Sequence, residues 1–147
     1  MATFSRNVTV NWEGPIMEGK GTAKAGSGAF NLPVSFPRRI GDAEGVTSPE
    51  ELMAAAHAAC FAMALNAFVG KKGGAIAKTD VTATVTADTG DAGITITTSK
   101  LTVVAHGLTG ISKEDFPGVA SEAEKKCPVS NLLRNGLEIT LEAQLAD

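Results

Sequence analysis

The sequence predicts an α+β fold in which antiparallel sheets wrap around one central, buried helix. The predicted strands come in consecutive groups and do not alternate strictly with helices, which is typical of this class. The longest predicted helix lies between two of these groups and is apolar on nearly every face, as expected for a helix at the centre of a protein. With 147 residues, 44% hydrophobic and 20% charged, we expect a single domain over residues 1–147.

Three strands are predicted before the long helix. Residues 8–12 alternate apolar and polar side chains, the period of a half-buried strand, and Gly14-Pro15 follows them. A second strand is expected over residues 20–25 and a third over residues 29–36. Residues 37–47 are predicted to form a polar loop.

The segment Ser48-Pro49-Glu50-Glu51 is a strong signal for the start of a helix. Ser48 suits the N-cap and Pro49 the first helical position, and Glu51 completes a capping box. The helix is expected to run to about Val69. Its body, LMAAAHAACFAMALNAFV, is apolar all round, and a domain of this size rarely surrounds such a helix with its own mass alone.

Two strands, two helices and a last strand are predicted after the long helix. The first two strands are expected over residues 79–88 and 94–105, joined by a Gly90-Asp91-Ala92-Gly93 hairpin loop. A helix capped by Ser112 is expected to run towards Lys126 and to break at Cys127-Pro128. The predictions end with a short helix from Pro128 to about Asn135 and a strand over residues 138–145.

Composition and charge exclude several classes of protein. The net charge of −3 and the pI near 5.4 argue against a general nucleic-acid binder, which needs a clustered positive field. The apolar run that comes nearest to a membrane span, Leu52 to Gly70, contains His57 and Asn66. The opening MATFSRNVTVNWEG has no apolar segment of the secretory type. We therefore expect a cytoplasmic protein that binds neither nucleic acid nor membrane.

The two cysteines lie in unlike settings. Cys60 is in the middle of the apolar helix, where burial raises the pKa of a thiol, so a reactive Cys60 needs a fixed cation nearby. The candidates are Arg38 and Arg39, which would otherwise be solvated loop charges. Cys127 precedes Pro128 at a helix start, beside two lysines, a setting that lowers the pKa of a thiol. Buried packing without reactivity is the alternative for both thiols.

Glu50 and His57 are further candidates on the same helix. Glu50 precedes Cys60 by ten residues, about 15 Å along one helix, so the two side chains meet only if two copies of the helix cross near Ala55. Otherwise Glu50 serves the helix dipole. For His57 we expect a core histidine bonded to a backbone carbonyl. A zinc site that joins the cysteines to His57 and His106 has the right ligand types, but no CxxC or HxxxH pair supports it.

Two motifs resemble those of a known family. The run SPEELMAAAHAACFAMAL resembles the central helix of the OsmC/Ohr family of peroxide-detoxifying proteins, and KKCPVSNLL resembles its second cysteine motif. The similarity covers the whole chain. The forms HAACF and CPVS are nearer the OsmC branch than the Ohr branch.

The resemblance implies a role for each candidate residue. Cys60 matches the peroxidatic cysteine, Cys127 the resolving cysteine and Glu50 the acidic residue of the family. We expect Arg39 to be the arginine that stabilises the thiolate, with Arg38 as the second choice. Arg38 is also expected to contact the substrate. The resemblance also implies an intertwined two-fold homodimer with sites at the protomer interface.

The implied activity is that of a thiol-dependent peroxidase without metal, flavin or haem. The reductant is expected to be an external dithiol, for which a lipoyl-type compound is a natural candidate. The apolar surroundings, including Phe61 and Met63 as substrate contacts, favour an organic hydroperoxide over hydrogen peroxide. Two alternatives remain at this point. One is a redox-sensing stress-response protein with little turnover, and the other is a structural dimer whose thiols only pack.

Overall fold

The computed structural model describes the chain from Met1 to Asp147 and has the predicted α+β class. Its strands are β1 (Val8–Glu13), β2 (Lys20–Ala25), β3 (Asn31–Val34), β4 (Lys78–Gly90), β5 (Gly93–His106) and β6 (Glu138–Leu145). Its helices are α1 (Phe36–Ile40), α2 (Pro49–Lys71), α3 (Phe116–Lys126) and α4 (Pro128–Leu133). The chain divides into two compact units, Met1–Leu52 and Met53–Asp147. The single domain expected from the sequence stays a prediction.

The first unit contains an antiparallel three-stranded sheet in the order β1-β2-β3. In the middle strand, Ala23 and Ala25 face inward and are buried. Strand β1, by contrast, is exposed along its whole length. Its alternating apolar residues Val8, Val10 and Trp12 are 51%, 56% and 41% exposed and lie on one face of the strand. The sheet therefore presents an apolar strip that this chain leaves open to solvent.

The segment predicted as a polar loop, residues 37–47, begins instead within a short helix. Helix α1 has a proline in its first turn, which suits that position, and the Gly41 N–H donates to the Pro37 carbonyl at 3.0 Å. One helical turn is too short to give a periodic pattern, so the sequence does not distinguish it from a loop. Strand β3 is correspondingly shorter than predicted.

Helix α2 begins where the sequence predicts. The Ser48 hydroxyl accepts a hydrogen bond from the Glu51 N–H at 3.1 Å, so Ser48 is the cap. The reciprocal half of the capping box is absent from the hydrogen bonds, because the Glu51 carboxylate accepts instead from the Thr47 hydroxyl at 2.6 Å. The helix then continues two residues past Val69.

Only one face of α2 is buried within this chain. Its buried residues recur at every fourth position: His57, Phe61, Leu65 and Val69. Much of the remaining apolar surface is open, and Met63 is 69% exposed. By length and composition alone the helix would be able to cross a membrane, a test that the core helix of a soluble protein also passes.

The second unit contains the sheet β4-β5-β6. Strands β4 and β5 form a long antiparallel hairpin that closes at Gly90 and Gly93, as predicted. Strand β6 pairs with β5 in parallel, which differs from the antiparallel arrangement expected throughout. Parallel neighbours need a crossover connection, and α3 and α4 supply it.

The core of the second unit lies between α2, β5 and the crossover helices. Its fully buried side chains include Leu101 and Val103 of β5, which are joined by residues of α2 and α3. Cys127, at the junction of α3 and α4, belongs to this core, and Cys60 packs against it. The sheet and the crossover thus bring together the helices that carry the two cysteines.

Candidate functional site

The two cysteines meet in the second unit as free thiols. Cys60 projects from α2 and is partly exposed, whereas Cys127 lies at the corner between α3 and α4 and has no exposed surface. Cys60 packs against the buried cluster that contains Cys127, and Cys127 is near enough to influence the pKa of the Cys60 thiol. Residues 67 positions apart in the sequence are therefore held beside each other, and one of them is partly exposed while the other is fully buried.

The surroundings of Cys60 favour its protonated form. Burial raises the pKa of the Cys60 thiol above its ordinary value, and the neighbouring Cys127 side chain raises it further. The backbone N–H of Val129, at the start of α4, acts in the opposite direction and lowers the pKa. Because the thiolate is the nucleophile, Cys60 needs an additional cation before it can react quickly.

The backbone on both sides of Cys127 is held by hydrogen bonds. The Cys127 N–H donates to the Glu124 carbonyl at 3.1 Å, and the Cys127 carbonyl accepts from the Asn131 N–H at 3.0 Å. The Arg134 guanidinium also donates to the nearly buried Glu124 carboxylate at 2.8 Å, which links α3 to the end of α4. The backbone at Cys127, the candidate resolving cysteine, is therefore held in place between α3 and α4.

His57 is bound differently from the prediction. Its Nδ1 lies 2.6 Å from the Ser99 hydroxyl and its Nε2 lies 2.8 Å from the Ser130 hydroxyl, and all three residues are fully buried. The expectation of a backbone carbonyl partner was therefore wrong. Sequence patterns did not single out Ser99 or Ser130, which lie 42 and 73 positions from His57.

Arg39 and Glu50 form a forked ion pair in the first unit. The Arg39 Nε lies 3.1 Å from both carboxylate oxygens, and its second nitrogen lies 2.6 Å from Oε1. The hydrogen bond to Arg39 lowers the pKa of the Glu50 carboxyl, and the same bond raises the pKa of Arg39. Both side chains are less than a third exposed, so the pair is oriented by its surroundings as well as by its own bonds.

Arg38 is oriented away from this pair. It forms an ion pair with Glu44 at 2.6 Å and donates to the Asp42 carbonyl at 3.2 Å. Both members of the Arg38–Glu44 pair are more than a third exposed, which is typical of solvated surface charges. The choice left open between the two arginines thus favours Arg39 on structural grounds, while the role of either residue stays a prediction.

The two predicted substrate contacts on α2 have unlike positions. Phe61 is fully buried in the core of the second unit and presents no surface to a peroxide, so its placement does not support that role. Met63 is largely exposed and is free to contact another molecule.

A pocket of about 350 Å³ lies beside Arg39 in the first unit. Its walls are mostly apolar, and Arg39 is the one charged residue among them. The other lining residues are Val10, Trp12, Ile16, Ala23, Val34, Ser35, Phe36, Thr47, Pro49 and Leu52. The lining residues come from all three strands of the β1-β2-β3 sheet, from α1 and from the first turn of α2, so no local sequence pattern connects them.

Comparison with known proteins gives consistent matches. The model of the family described as "OsmC-like protein" matches residues 41–142. The chain is 42% identical to Peroxiredoxin OsmC of Escherichia coli (strain K12) over 145 residues, 97% of this chain and 98% of that protein. It is 29% identical to an organic hydroperoxide resistance protein of Xanthomonas axonopodis pv. citri, over 83% of this chain and 84% of that protein.

The fold matches as well. The crystal structure of an organic hydroperoxide resistance protein from Elizabethkingia anophelis superimposes with a TM-score of 0.75 at 25% identity, covering 99% of both chains. The OsmC-like protein of Mycoplasma pneumoniae has a TM-score of 0.76 at 19% identity and covers 99% of this chain and 100% of that one, which bears on the fold alone. The resemblance seen in the helix and cysteine motifs is confirmed, and this chain belongs to the OsmC-like protein family.

Proposed function

We propose that this protein is a thiol-dependent peroxidase that reduces organic hydroperoxides through Cys60 and Cys127. The observation that carries the proposal is the contact between a partly exposed thiol and a fully buried one. Such a pair suits a peroxidatic cysteine with a resolving cysteine beside it. The names of the relatives, peroxiredoxin and organic hydroperoxide resistance protein, support the same chemistry.

In the first step, the Cys60 thiolate attacks the O–O bond of the hydroperoxide. One oxygen is transferred to sulfur, which becomes sulfenic acid, and the other leaves with the organic group as an alkoxide that takes up a proton to form the alcohol. Sulfur is oxidised by two electrons and the peroxide is reduced by two. The partial exposure of Cys60 supports this assignment, because the peroxide needs access to the sulfur.

Arg39 supplies the cation in this proposal. Burial raises the pKa of the Cys60 thiol, so the thiolate needs a compensating positive charge that stays ionised in an apolar site. The forked bond to Glu50 fixes the plane of the Arg39 guanidinium and leaves N–H groups for the thiolate and the peroxide. Glu50 is therefore a positioning residue that acts through Arg39.

A two-fold homodimer is part of the proposal. Two apolar surfaces are open in the single chain: the β1 strip formed by Val8, Val10 and Trp12, and the face of α2 that carries Met63. Exposed apolar patches of this kind mark sites of association. Two α2 helices that cross near Ala55 would bring Glu50, with its bound Arg39, towards Cys60 of the other protomer.

In the second step, the Cys127 thiol attacks the sulfenic acid on Cys60. A disulfide forms and one water molecule leaves, so Cys60 is protected from a second peroxide. An external dithiol then reduces the disulfide by exchange and is itself oxidised to a cyclic disulfide. A lipoyl-type dithiol fits this step, and we propose the cytoplasm as the compartment because thiols are kept reduced there.

The pocket beside Arg39 supports an organic substrate. Its volume of about 350 Å³ is at the lower end of the range typical of small-molecule sites, and its walls are mostly apolar. An aryl or alkyl group placed there would have its peroxide oxygens near the guanidinium. Hydrogen peroxide has no such group and would gain nothing from the pocket.

The test is a peroxidase assay with cumene hydroperoxide and a dithiol on the wild type, Cys60→Ser and Cys127→Ser. Cys60→Ser should abolish turnover, and Cys127→Ser should allow one turnover followed by sulfinic acid on Cys60. A redox sensor is the second candidate. It would form the Cys60–Cys127 disulfide stoichiometrically with peroxide but show no turnover when dithiol is in excess, and that outcome would replace the peroxidase proposal.

A further inference from the structure

Three buried polar side chains lie between the elements that carry the two thiols. His57 of α2, Ser99 of β5 and Ser130 of α4 each have no exposed surface. The imidazole ring is bound at both nitrogens, to the Ser99 hydroxyl at 2.6 Å and to the Ser130 hydroxyl at 2.8 Å. The peroxidase chemistry set out above makes no use of this cluster.

The cluster is complete only when His57 is neutral. A neutral imidazole has one N–H donor and one acceptor nitrogen, so one serine hydroxyl donates to the ring and the other accepts from it. Burial lowers the pKa of His57 and favours this neutral form. No buried side-chain nitrogen or oxygen of the chain lacks a partner. The three side chains therefore form a satisfied network without a charge.

The network lies one helical turn from each sulfur atom. His57 precedes Cys60 by three residues in α2, and Ser130 of α4 follows by three residues Cys127, which is the N-cap of that helix. Residues three apart are neighbours on a helix surface. The His57–Ser130 bond thus joins the two thiol-bearing helices beside the thiols, while Ser99 fixes the opposite edge of the ring to the sheet.

We propose that His57 is a positioning residue for disulfide closure, acting through its hydrogen bond to Ser130. Resting on the proposed function, this inference concerns the second chemical step. A disulfide forms only when the Cβ atoms are roughly 3.5–4.5 Å apart and the dihedral angle about the S–S bond is near 90°. A small displacement of α4 would therefore slow the attack of Cys127 on the Cys60 sulfenic acid.

Slower closure has a measurable consequence because the sulfenic acid has two fates. Attack by Cys127 gives the disulfide and water. Attack on a second peroxide molecule transfers another oxygen to Cys60 and gives sulfinic acid and an alcohol. Displacement of α4 shifts this partition towards sulfinic acid. A general loss of stability would also separate the two thiols, so the test needs a control variant that removes a buried hydroxyl of the same network without breaking the link between the two helices.

Ser130→Ala and Ser99→Ala form a matched pair of variants. Each removes one buried hydroxyl and leaves one nitrogen of His57 without its partner, but only Ser130→Ala breaks the link between the two helices. Each variant is treated with a fixed excess of cumene hydroperoxide, and the disulfide and the Cys60 sulfinic acid are quantified by mass spectrometry. We expect the ratio of sulfinic acid to disulfide to rise about tenfold or more in Ser130→Ala. Ser99→Ala should resemble the wild type.

A second measurement does not depend on peroxide. Equilibration with reduced and oxidised glutathione gives the effective concentration of Cys127 towards Cys60, which should fall about tenfold in Ser130→Ala and change little in Ser99→Ala. If this shift is seen but the wild type consumes no peroxide, the positioning role stands and the peroxidase proposal fails. Equal behaviour of the two variants in both measurements would overturn the positioning role.

Discussion

The Arg39 guanidinium binds the Glu50 carboxylate through both Nε and a terminal nitrogen, so two residues 11 positions apart are joined by more than one hydrogen bond. A planar fork of this kind has a defined direction, which a single charge–charge contact lacks. Lysine has no such fork and presents a point charge on a flexible stem. The neighbouring Arg38 is not part of this pair, because it binds the exposed Glu44 instead.

Replacement of the two arginines by lysine should affect activity unequally. In Arg39→Lys the positive charge remains but its orientation is lost, so we expect kcat/KM for cumene hydroperoxide to fall about 100-fold. Arg38→Lys should stay near the wild type because Arg38 pairs with the exposed Glu44. Steady-state assays of both variants provide the measurement. An equal loss of kcat/KM in the two variants would show that the assignment of Arg39 as the pocket cation is wrong.

The Arg39–Glu50 pair should give stability a characteristic dependence on pH. The pKa of the Glu50 carboxyl is lowered from its ordinary value of 4.5, so the unfolded state binds the proton first. The stabilising contribution is therefore complete above that value and is lost as the pH falls through the lowered pKa of the folded protein. The quantity to compare is the free energy of unfolding of the wild type and Glu50→Gln across this window.

The free energy of unfolding of the wild type should exceed that of Glu50→Gln by a constant amount near neutral pH, and this difference should shrink in acid. All samples need the same protein concentration, because association itself adds to stability. Glu44→Gln is the control, since the pair it breaks is exposed. A difference that grows as the pH falls would contradict the assignment.

The Glu124–Arg134 bond at the Cys127 corner should contribute measurably to stability. Glu124 is nearly buried, so Arg134→Ala leaves a carboxylate without its partner, and we expect a loss of about 1–3 kcal/mol in the free energy of unfolding. Lys72→Ala breaks the exposed pair with Glu122 and should cost less than about 1 kcal/mol. Urea unfolding of the two variants at one protein concentration makes the comparison.

The pocket beside Arg39 should determine preference among peroxides. Phe36→Ala removes an aromatic wall, and we expect kcat/KM for cumene hydroperoxide to fall about tenfold while that for hydrogen peroxide changes little. Phe4→Ala, at an exposed position outside the pocket, is the matched control. A parallel fall for both peroxides would show that Phe36 supports the fold and does not select the substrate.

Local signals in the sequence were sufficient for most elements. The Ser48-Pro49 start of α2 and the Cys127-Pro128 break both follow from backbone chemistry within a few residues, and both are present in the structure. The strand over residues 20–25 was likewise predicted with the bounds that the structure shows. These features depend on neighbours along the chain, which a sequence displays directly.

Features that depend on distant residues were not predictable in the same way. The parallel pairing of β6 with β5 depends on the path of the crossover, and the serine partners of His57 come from another strand and another helix. Burial of Phe61 also needed the packed core to be known, because the apolar pattern of α2 does not distinguish its faces. In each case the deciding contact joins residues that no local pattern connects.

The crossover between β5 and β6 also makes sheet assembly a condition for redox competence. Cys127 lies on the return segment between two strands that must align in register, from Thr98 opposite Glu138 to Ala105 opposite Leu145. In a chain whose last strand has not yet paired with β5, Cys127 therefore has no fixed position relative to Cys60. The two thiols would thus come together in newly made protein only once the C-terminal strand has paired with β5.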